Sequence, residues 1–386
     1  MRSQGATIEA RYRVAIIGGG PAGSACALAL AGQGLSDIVM LEADDYQTFR
    51  IGESLPPECR HLFQVLGIEQ AFAREGHAAC YGTCSYWGGD ARGYNDSIMN
   101  PLGHGWHLDR CRFDRFLAME ARARGVQVRT GATLTASAPA AKGFVLDVLL
   151  ATHNGRREIR IQADYVVDAS GTRAVFARHR GRLKQGSDPL ICLAARMDLV
   201  KTDSPPSTLT HLEAVEQGWW YGTHLPGGQL LLAFYSDATC VKSGQLQNHE
   251  KWSALLAASR HTAALARFAR LPLSHVDSFP APSYCLDQVG GEDWLAIGDA
   301  ASAYDPIMSR GICKALANGW LAAQVIHGQS SLDHYTRTVR TAYQRYLALR
   351  HDLYGLERRW ADFPFWRNIH AGGYSHSAGA TVRPSD

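Results

Sequence analysis

The sequence predicts an α/β protein in which a Rossmann-like dinucleotide-binding domain is interrupted by an inserted mixed β-sheet domain and followed by a helical C-terminal segment. Three observations predict this. An apolar run, a glycine-rich turn and a helix of small residues open the chain at 13–34. A second strand, loop and helix follow at 293–326. Between 187 and 285 the pattern changes to strand-like segments of a separate sheet.

In RVAIIGGGPAGSACALALAGQG (13–34), Val14–Ile17 is the buried-strand candidate, and from Pro21 small residues suit a closely packed helix. DIVMLEA (37–43) supplies a second strand, so the βαβ unit closes within about 30 residues, the length it needs. LDRCRFDRFLAMEARARGVQV (108–128) reads as a helix ending at Gly125, then a strand. DYVVDASG (164–171) is a strand ending in a glycine turn. PLICLAARMDLV and LLLAFYSD suggest strands of the separate sheet. Residues 332–370 read as helical, and their close, ERRWADFPFWRN, is too aromatic for a free tail. The resulting division puts the dinucleotide-binding domain in three parts, 11–78, 107–185 and 286–330. The β-sheet substrate domain takes 79–106 and 186–285, C-terminal helices take 331–370, and a tail at 371–386 is expected to be disordered.

The 386 residues are enough for a sizeable core, and 46% hydrophobic content marks a globular chain. The charge is +3, from 39 basic and 36 acidic residues, which gives no electrostatic footprint for nucleic acid. No unbroken apolar window is long enough to span a bilayer, so no membrane partner is expected. The opening MRSQGATIEARYR lacks the apolar core of a signal peptide, and nine scattered cysteines fit a reducing compartment, so a cytoplasmic location is expected. Cys80 and Cys84 have no second pair at zinc spacing, so no metal is expected. Walker A and Gly-x-Ser-x-Gly motifs are absent, which sets aside NTPase and serine-hydrolase readings.

Gly18-x-Gly20-x-x-Gly23 lies between the first strand and its helix. Gly18 permits the tight turn, Gly20 lets backbone approach a pyrophosphate, and Gly23 lets helix and strand pack closely. The helix N-terminus offers free N–H groups to phosphates. Glu42, 19 residues after Gly23, ends the second strand, where a carboxylate can accept from a ribose diol. The plain alternative is a glycine turn without a ligand.

GDAASAYDPIMSRGI (298–312) gives a second half-site. Asp299 follows an apolar strand and can reach a polyol hydroxyl. Pro306 lacks an N–H and suits contact with a flat ring. Gly311 and Ile312 open a helix whose N–H groups can hold developing negative charge. The plain alternative is a βα loop with a capping aspartate.

Together these motifs resemble FAD-dependent monooxygenases of the p-hydroxybenzoate hydroxylase fold, over residues 11 to 330. The resemblance is sharper to the flavin halogenase branch, through Gly52-Glu53-Ser54-Leu55-Pro56-Pro57 and Asp305-Pro306. It implies FAD with its ADP at Gly18–Gly23 and Glu42, its ribityl chain at Asp299, and its ring near Pro306 and Gly311. Arg112, in RCRFDRFL, matches an arginine that lies along the FAD phosphates, or is a surface helix residue. Ala22, Arg50, Ser54, Thr133 and Gly298 complete the implied FAD set. The implied chemistry is attack by a substrate ring on a flavin C4a-hydroperoxide formed with O2. Electrons come from NAD(P)H or from a separate flavin reductase.

Flavin halogenases acting on free tryptophan depend on a lysine in the region that here reads ACYGTCSYWGG (79–89). This stretch has none, and the first lysine in the chain is Lys142. The halogenase Trp-x-Trp-x-Ile-Pro motif departs too, to GWWYGTHLP (218–226). GESLPP, CYGTCSYWG, GHGWHLDRCRFD and ERRWADFPFW resemble instead the flavoproteins that mature quinone-cofactor amine or amino-acid oxidases. Those hydroxylate a tryptophan of a partner polypeptide on the way to tryptophylquinone. The implied partner is therefore a quinone-cofactor oxidase precursor.

Such chemistry needs water exclusion, an indole held within about 3–3.5 Å, and a managed proton. The candidates are Glu53, Tyr86, Trp87, Trp106, His107, Trp219, Trp220, Tyr221 and Asp305. Of these Glu53, Asp305, Trp87, Tyr86 and His107 are the expected catalytic set. Each also has a plain reading: Glu53 bonding backbone, Asp305 capping a helix near Ser309, tryptophans as core, His107 as a satisfied buried histidine. Halogenation, small-molecule indole or phenol hydroxylation, isoprenoid-lipid reduction and a non-catalytic FAD-binding chaperone stay open as alternatives.

Overall fold

The computed structural model describes residues 7–97, 99–152, 155–186, 190–200, 207–267, 269–270 and 275–371. The expected tail lies, after Ala371, outside the described residues. The chain forms two compact units: Met1–His77, Leu108–Leu183 and Leu286–Tyr343 in the first; Ala78–His107, Lys184–Cys285 and Gln344–Asp386 in the second.

In the first unit, strand Ala10–Ile17 lies between Ile38–Leu41 and Gly155–Asp168, parallel to both. Gln127–Arg129 and Trp294–Ala296 extend the sheet, again in parallel. A parallel sheet is covered on both faces, which is why Val14–Ile17 and Ile38–Leu41 are unbroken apolar runs, all buried. Gly155–Asp168 is much longer than DYVVDASG suggests. Its first four residues are exposed and Ile159–Ala163 then alternates buried with half-buried residues; this stretch pairs antiparallel with Phe144–Thr152, which pairs in turn with Ala132–Pro139.

Helix Arg110–Ala123 starts where the Asp109 carboxylate accepts the Arg112 N–H at 3.0 Å, and it ends before Gly125. Helices Pro21–Gly32 and Gly311–Ile326 touch where Gly319 meets Ala22 and Cys26.

The second unit is built on a seven-stranded mixed sheet. Its order is Asp277–Pro280, Leu190–Asp198, Gln229–Asp237, Gly218–Leu225, Thr210–Val215, Gly82–Tyr86, Gly93–Asp96. Only the Thr210–Val215 and Gly82–Tyr86 pair runs parallel. Strand alternation gives the sheet two faces. One carries Leu193, Ala195, Met197, Trp220, Leu230, Leu232 and Phe234, packed with Trp252, Leu256 and Ala266. These last three come from helices His249–Ala258 and Thr262–Ala266, which lie within the stretch expected to be strands of the separate sheet. The aromatic close of the chain is buried, as its composition requires. Phe365 and Trp366 are wholly enclosed, and the Trp366 indole N–H donates to the Val215 carbonyl at 2.8 Å.

Candidate functional site

The first motif has the geometry its glycines require. Gly18 has φ +108°, and a Cβ there would lie 2.3 Å from the Ala169 carbonyl oxygen. A Cβ on Gly23 would lie 1.9 Å from the Gly18 oxygen, whereas Gly20 has open space around it. Helix Pro21–Gly32 has no side-chain cap at its N-terminus. Glu42 ends the second strand almost fully buried. Its carboxylate accepts the Gly19 N–H at 2.7 Å, the Asp44 N–H at 3.0 Å and Arg50 Nη2 at 3.1 Å. Tyr46, not singled out from sequence, donates its hydroxyl to the Gly19 carbonyl at 3.1 Å. Arg50 also reaches Asp44 and Asp114, so three carboxylates share its charge. Thr133 is an exposed residue of strand Ala132–Pro139.

The second motif follows strand Trp294–Ala296. Gly298 has φ +59°, and its Cα faces the Ala22 methyl, which a Cβ would meet at 2.7 Å. The Asp305 carboxylate accepts the Ile307 N–H at 2.9 Å and caps the short turn Pro306–Met308, rather than a helix near Ser309. Helix Gly311–Ile326 begins with no side-chain cap, and Gly311 is open at its Cβ position. Asp299 is ion-paired at 2.8 Å with Lys314. The hydroxyl of Ser302 is buried without a partner.

Glu53 is 4% exposed, and its Oε1 has no hydrogen-bond partner. Burial pushes its carboxyl up to about 7, against the opposing pull of its backbone hydrogen bonds and of Arg110. Its carbonyl accepts the Leu108 N–H at 2.8 Å. Arg110 holds the preceding residues, donating to the Ile51 carbonyl at 2.6 Å and the Gly52 carbonyl at 3.2 Å. Arg110 is itself held by Asp114. Arg112 turns elsewhere: it donates to the Glu75 carbonyl and is half exposed. The arginine against Gly-Glu-Ser is therefore Arg110, two residues earlier. Its signal was the i,i+4 spacing to Asp114.

In the second unit, the structure redirects the aromatic expectations. Tyr86 pairs in register with Glu213, and Glu213 with Trp220, so these residues share the face covered by helices. There the Tyr86 ring stacks on His261, centroids 3.3 Å apart, and its hydroxyl accepts from Arg92 at 2.5 Å. Trp87 packs against Trp219, Tyr354 and Trp366, and its indole N–H is consumed by the Leu353 carbonyl at 2.7 Å. The expectation that Tyr86 and Trp87 form a substrate-contact pair is corrected: both are packing residues here. Trp219 and Trp220 point to opposite faces. Trp220 joins the helix-covered core, while Trp219 stacks on Tyr235 at 4.1 Å and donates to the Tyr354 hydroxyl at 3.0 Å.

His107 is 1% exposed and shares a 2.9 Å hydrogen bond with the Thr210 hydroxyl. Burial, then His224 and His211, push it down to about 3, so it is a neutral imidazole. Trp106 beside it is buried and meets His104 edge-on at 5.4 Å.

Residues 13–98 and 90–383 match the family model of tryptophan halogenase. The chain belongs to the tryptophan halogenase family. LodB of Marinomonas mediterranea, named as an FAD-dependent oxidoreductase, is 26% identical over 93% of this chain and 97% of its own length. A 1H-pyrrole-2-carbonyl-[peptidyl-carrier protein] brominase of Pseudoalteromonas luteoviolacea is 26% identical over 82% of this chain and 77% of its own. Among solved structures, the flavin-dependent halogenase CmlS superposes with TM-score 0.80 at 25% identity, over 93% of this chain and 67% of that one. The peptidyl tryptophan dihydroxylase QhpG superposes with TM-score 0.73 at 22% identity, over 93% and 78%.

This tryptophan halogenase family member is thus an FAD oxidoreductase-type enzyme with a Rossmann-like α/β fold. Its first unit fits the cofactor by its own geometry. The cradle over Gly20 is open, both motif helices present uncapped N-termini, and buried polar atoms of Glu53 and Ser302 lack partners. Among the described residues no helix is long and apolar enough to cross a membrane.

Proposed function

We propose that this chain is an FAD-dependent monooxygenase that hydroxylates a tryptophan side chain of a partner polypeptide, a precursor of a quinone-cofactor oxidase. The observation that carries this reading is the missing lysine in 79–89, the region where the halogenases that the sequence resembles keep theirs. Lys314, in the helix that follows the second motif, has its ammonium engaged by Asp299 and the Ser302 carbonyl. An arginine does not substitute, since it stays protonated. The similarity to LodB over nearly the full length of both chains, and the likeness of fold to QhpG, support the same reading.

Bound and reduced FAD supplies the oxygen-activating chemistry, with electrons from NAD(P)H or a separate flavin reductase. The residues of the chain bind, orient and manage protons. Gly18–Gly23, Glu42 and Asp299 hold the cofactor. Glu53, buried with a carboxyl near neutrality, is suited to take the proton an indole ring loses. The test is intact mass of an indole-bearing oxidase precursor after incubation with the enzyme, a flavin-reducing system and O2. Gain of oxygen supports hydroxylation. Gain of chlorine or bromine when halide is added sinks it, and no change with any such polypeptide favours a binding role alone.

A further inference from the structure

Lys314 is the fourth residue of helix Gly311–Ile326. A cation in the first turn of a helix opposes the helix dipole, so the position calls for a specific partner. The structure supplies three, all within six residues of the preceding loop. Nζ donates to Asp299 Oδ1 at 2.8 Å and to the Ser302 carbonyl, and it lies 4.3 Å from the centre of the Tyr304 ring. Burial within the ion pair is unequal: the Lys314 side chain is 9% exposed and that of Asp299 43%. The ammonium is enclosed, while the carboxylate keeps an edge open to the space beyond the motif.

The inequality separates two roles. A lysine that served the fold alone would be needed wherever its removal strands a buried partner. Here the carboxylate is half exposed, so losing the ion pair costs the fold little and the main structural loss is the donor to the buried Ser302 carbonyl, whereas removing Asp299 would strand a buried ammonium, a larger loss. What the lysine does contribute is direction, because the charge-assisted bond from Nζ fixes Oδ1 and leaves the exposed side of the carboxylate to face outward.

We propose that Lys314 is a cofactor-positioning residue: it fixes the Asp299 carboxylate for the ribityl hydroxyls of FAD. Its charge, added to that of the uncapped helix N-terminus, favours the reduced, anionic flavin. This rests on the reading that the two glycine motifs bind FAD.

The test compares wild type with Lys314→Met, Lys314→Arg, Asp299→Asn and the Lys314→Met/Asp299→Asn double variant. FAD affinity is read by flavin fluorescence titration, midpoint potential by dye-coupled titration, and melting temperature on the FAD-free proteins. Lys314→Met is expected to weaken FAD binding about tenfold, the worth of one charge-assisted hydrogen bond. It should also shift the midpoint negative and lower the melting temperature of the FAD-free protein only modestly, through the lost donor to the Ser302 carbonyl. Lys314→Arg should recover most of the affinity. In the Asp299→Asn background the lysine change should add little, because it acts through that carboxylate. Unchanged affinity and potential in Lys314→Met overturn the proposal, as does a large fall in melting temperature with affinity intact. Fully additive losses in the double variant overturn it too. Wild-type protein that takes up no FAD overturns the cofactor reading itself, and this role with it.

Discussion

Gly319 lies against Ala22. A Cβ at Gly319 would come 2.5 Å from the Ala22 carbonyl oxygen and 2.7 Å from the Cys26 nitrogen. This contact brings the helix of the second motif onto the helix of the first, backbone to backbone. Gly319→Ala is expected to push the helices apart and destabilise the protein by about 2–3 kcal/mol, and Gly319→Val by more. Urea unfolding measures the loss. FAD affinity should fall with it, because both half-sites ride on the two helices.

Gly20 and Gly23 should separate ligand binding from folding. Gly20 has φ −72° and ψ −171°, a conformation any residue adopts, and its Cβ position is empty. Gly20→Ala should leave the melting temperature of the FAD-free protein unchanged and weaken FAD binding by at least about tenfold, by filling the pyrophosphate cradle. Gly23→Ala should lower stability by about 3 kcal/mol, because the new methyl meets the Gly18 carbonyl. Equal effects of the two on melting temperature would refute the division.

Glu53 should make stability depend on pH. Its carboxyl titrates at about 7 in the folded protein against 4.5 for the unperturbed group. The folded state therefore binds more protons than the unfolded state between these values, so stability falls as pH rises through that window. The full cost, about 3 kcal/mol, is present above pH 7. Glu53→Gln should remove this dependence and melt higher than wild type at pH 8. Turnover should fall sharply in the same variant if Glu53 handles the substrate proton. Wild-type and variant melting curves that stay parallel from pH 5 to 8 would exclude a titrating Glu53.

Trp87 should behave as a structural residue. Trp87→Phe removes the indole donor to the Leu353 carbonyl, which keeps only the longer 3.3 Å bond from the Leu356 N–H, and is expected to cost about 1 kcal/mol by chemical denaturation. FAD affinity of the folded fraction should be unchanged. Loss of flavin without loss of stability would return this segment to the cofactor site.

Much of the candidate dinucleotide site is legible in the sequence because it is local. Gly18, Gly20, Gly23 and Glu42 fall within one strand–turn–helix–strand unit, and their spacing follows from the rise of strand and helix and the demands of a tight turn. The same holds for Asp299, Asp305 and Gly311 around the second turn. Arg110, not Arg112, turns toward Gly52-Glu53; both lie in the same helical turn, and only the i,i+4 spacing of Arg110 to Asp114 distinguishes them in the sequence. Lys314 has a legible position, a cation in the first turn of the helix that Gly311 opens, but its partners Asp299 and Ser302 are set by the fold of the loop before it.

ACYGTCSYWGG was the hardest stretch to read. Its strand alternates, so Ser85 and Tyr86 face opposite ways, and which face meets helices depends on Thr262–Ala266, nearly two hundred residues later. By itself the sequence determined the α/β class, the two glycine motifs and the missing lysine, because each is a property of neighbouring residues. Only the tertiary structure decided that Tyr86 and Trp87 are packed away, that Gly319 joins the two motif helices, and that Lys314 holds Asp299. The first two are contacts between segments distant in the chain, the third depends on how a loop folds back on the helix that follows it, and the burial that shifts Glu53 and His107 exists only once such segments close around them.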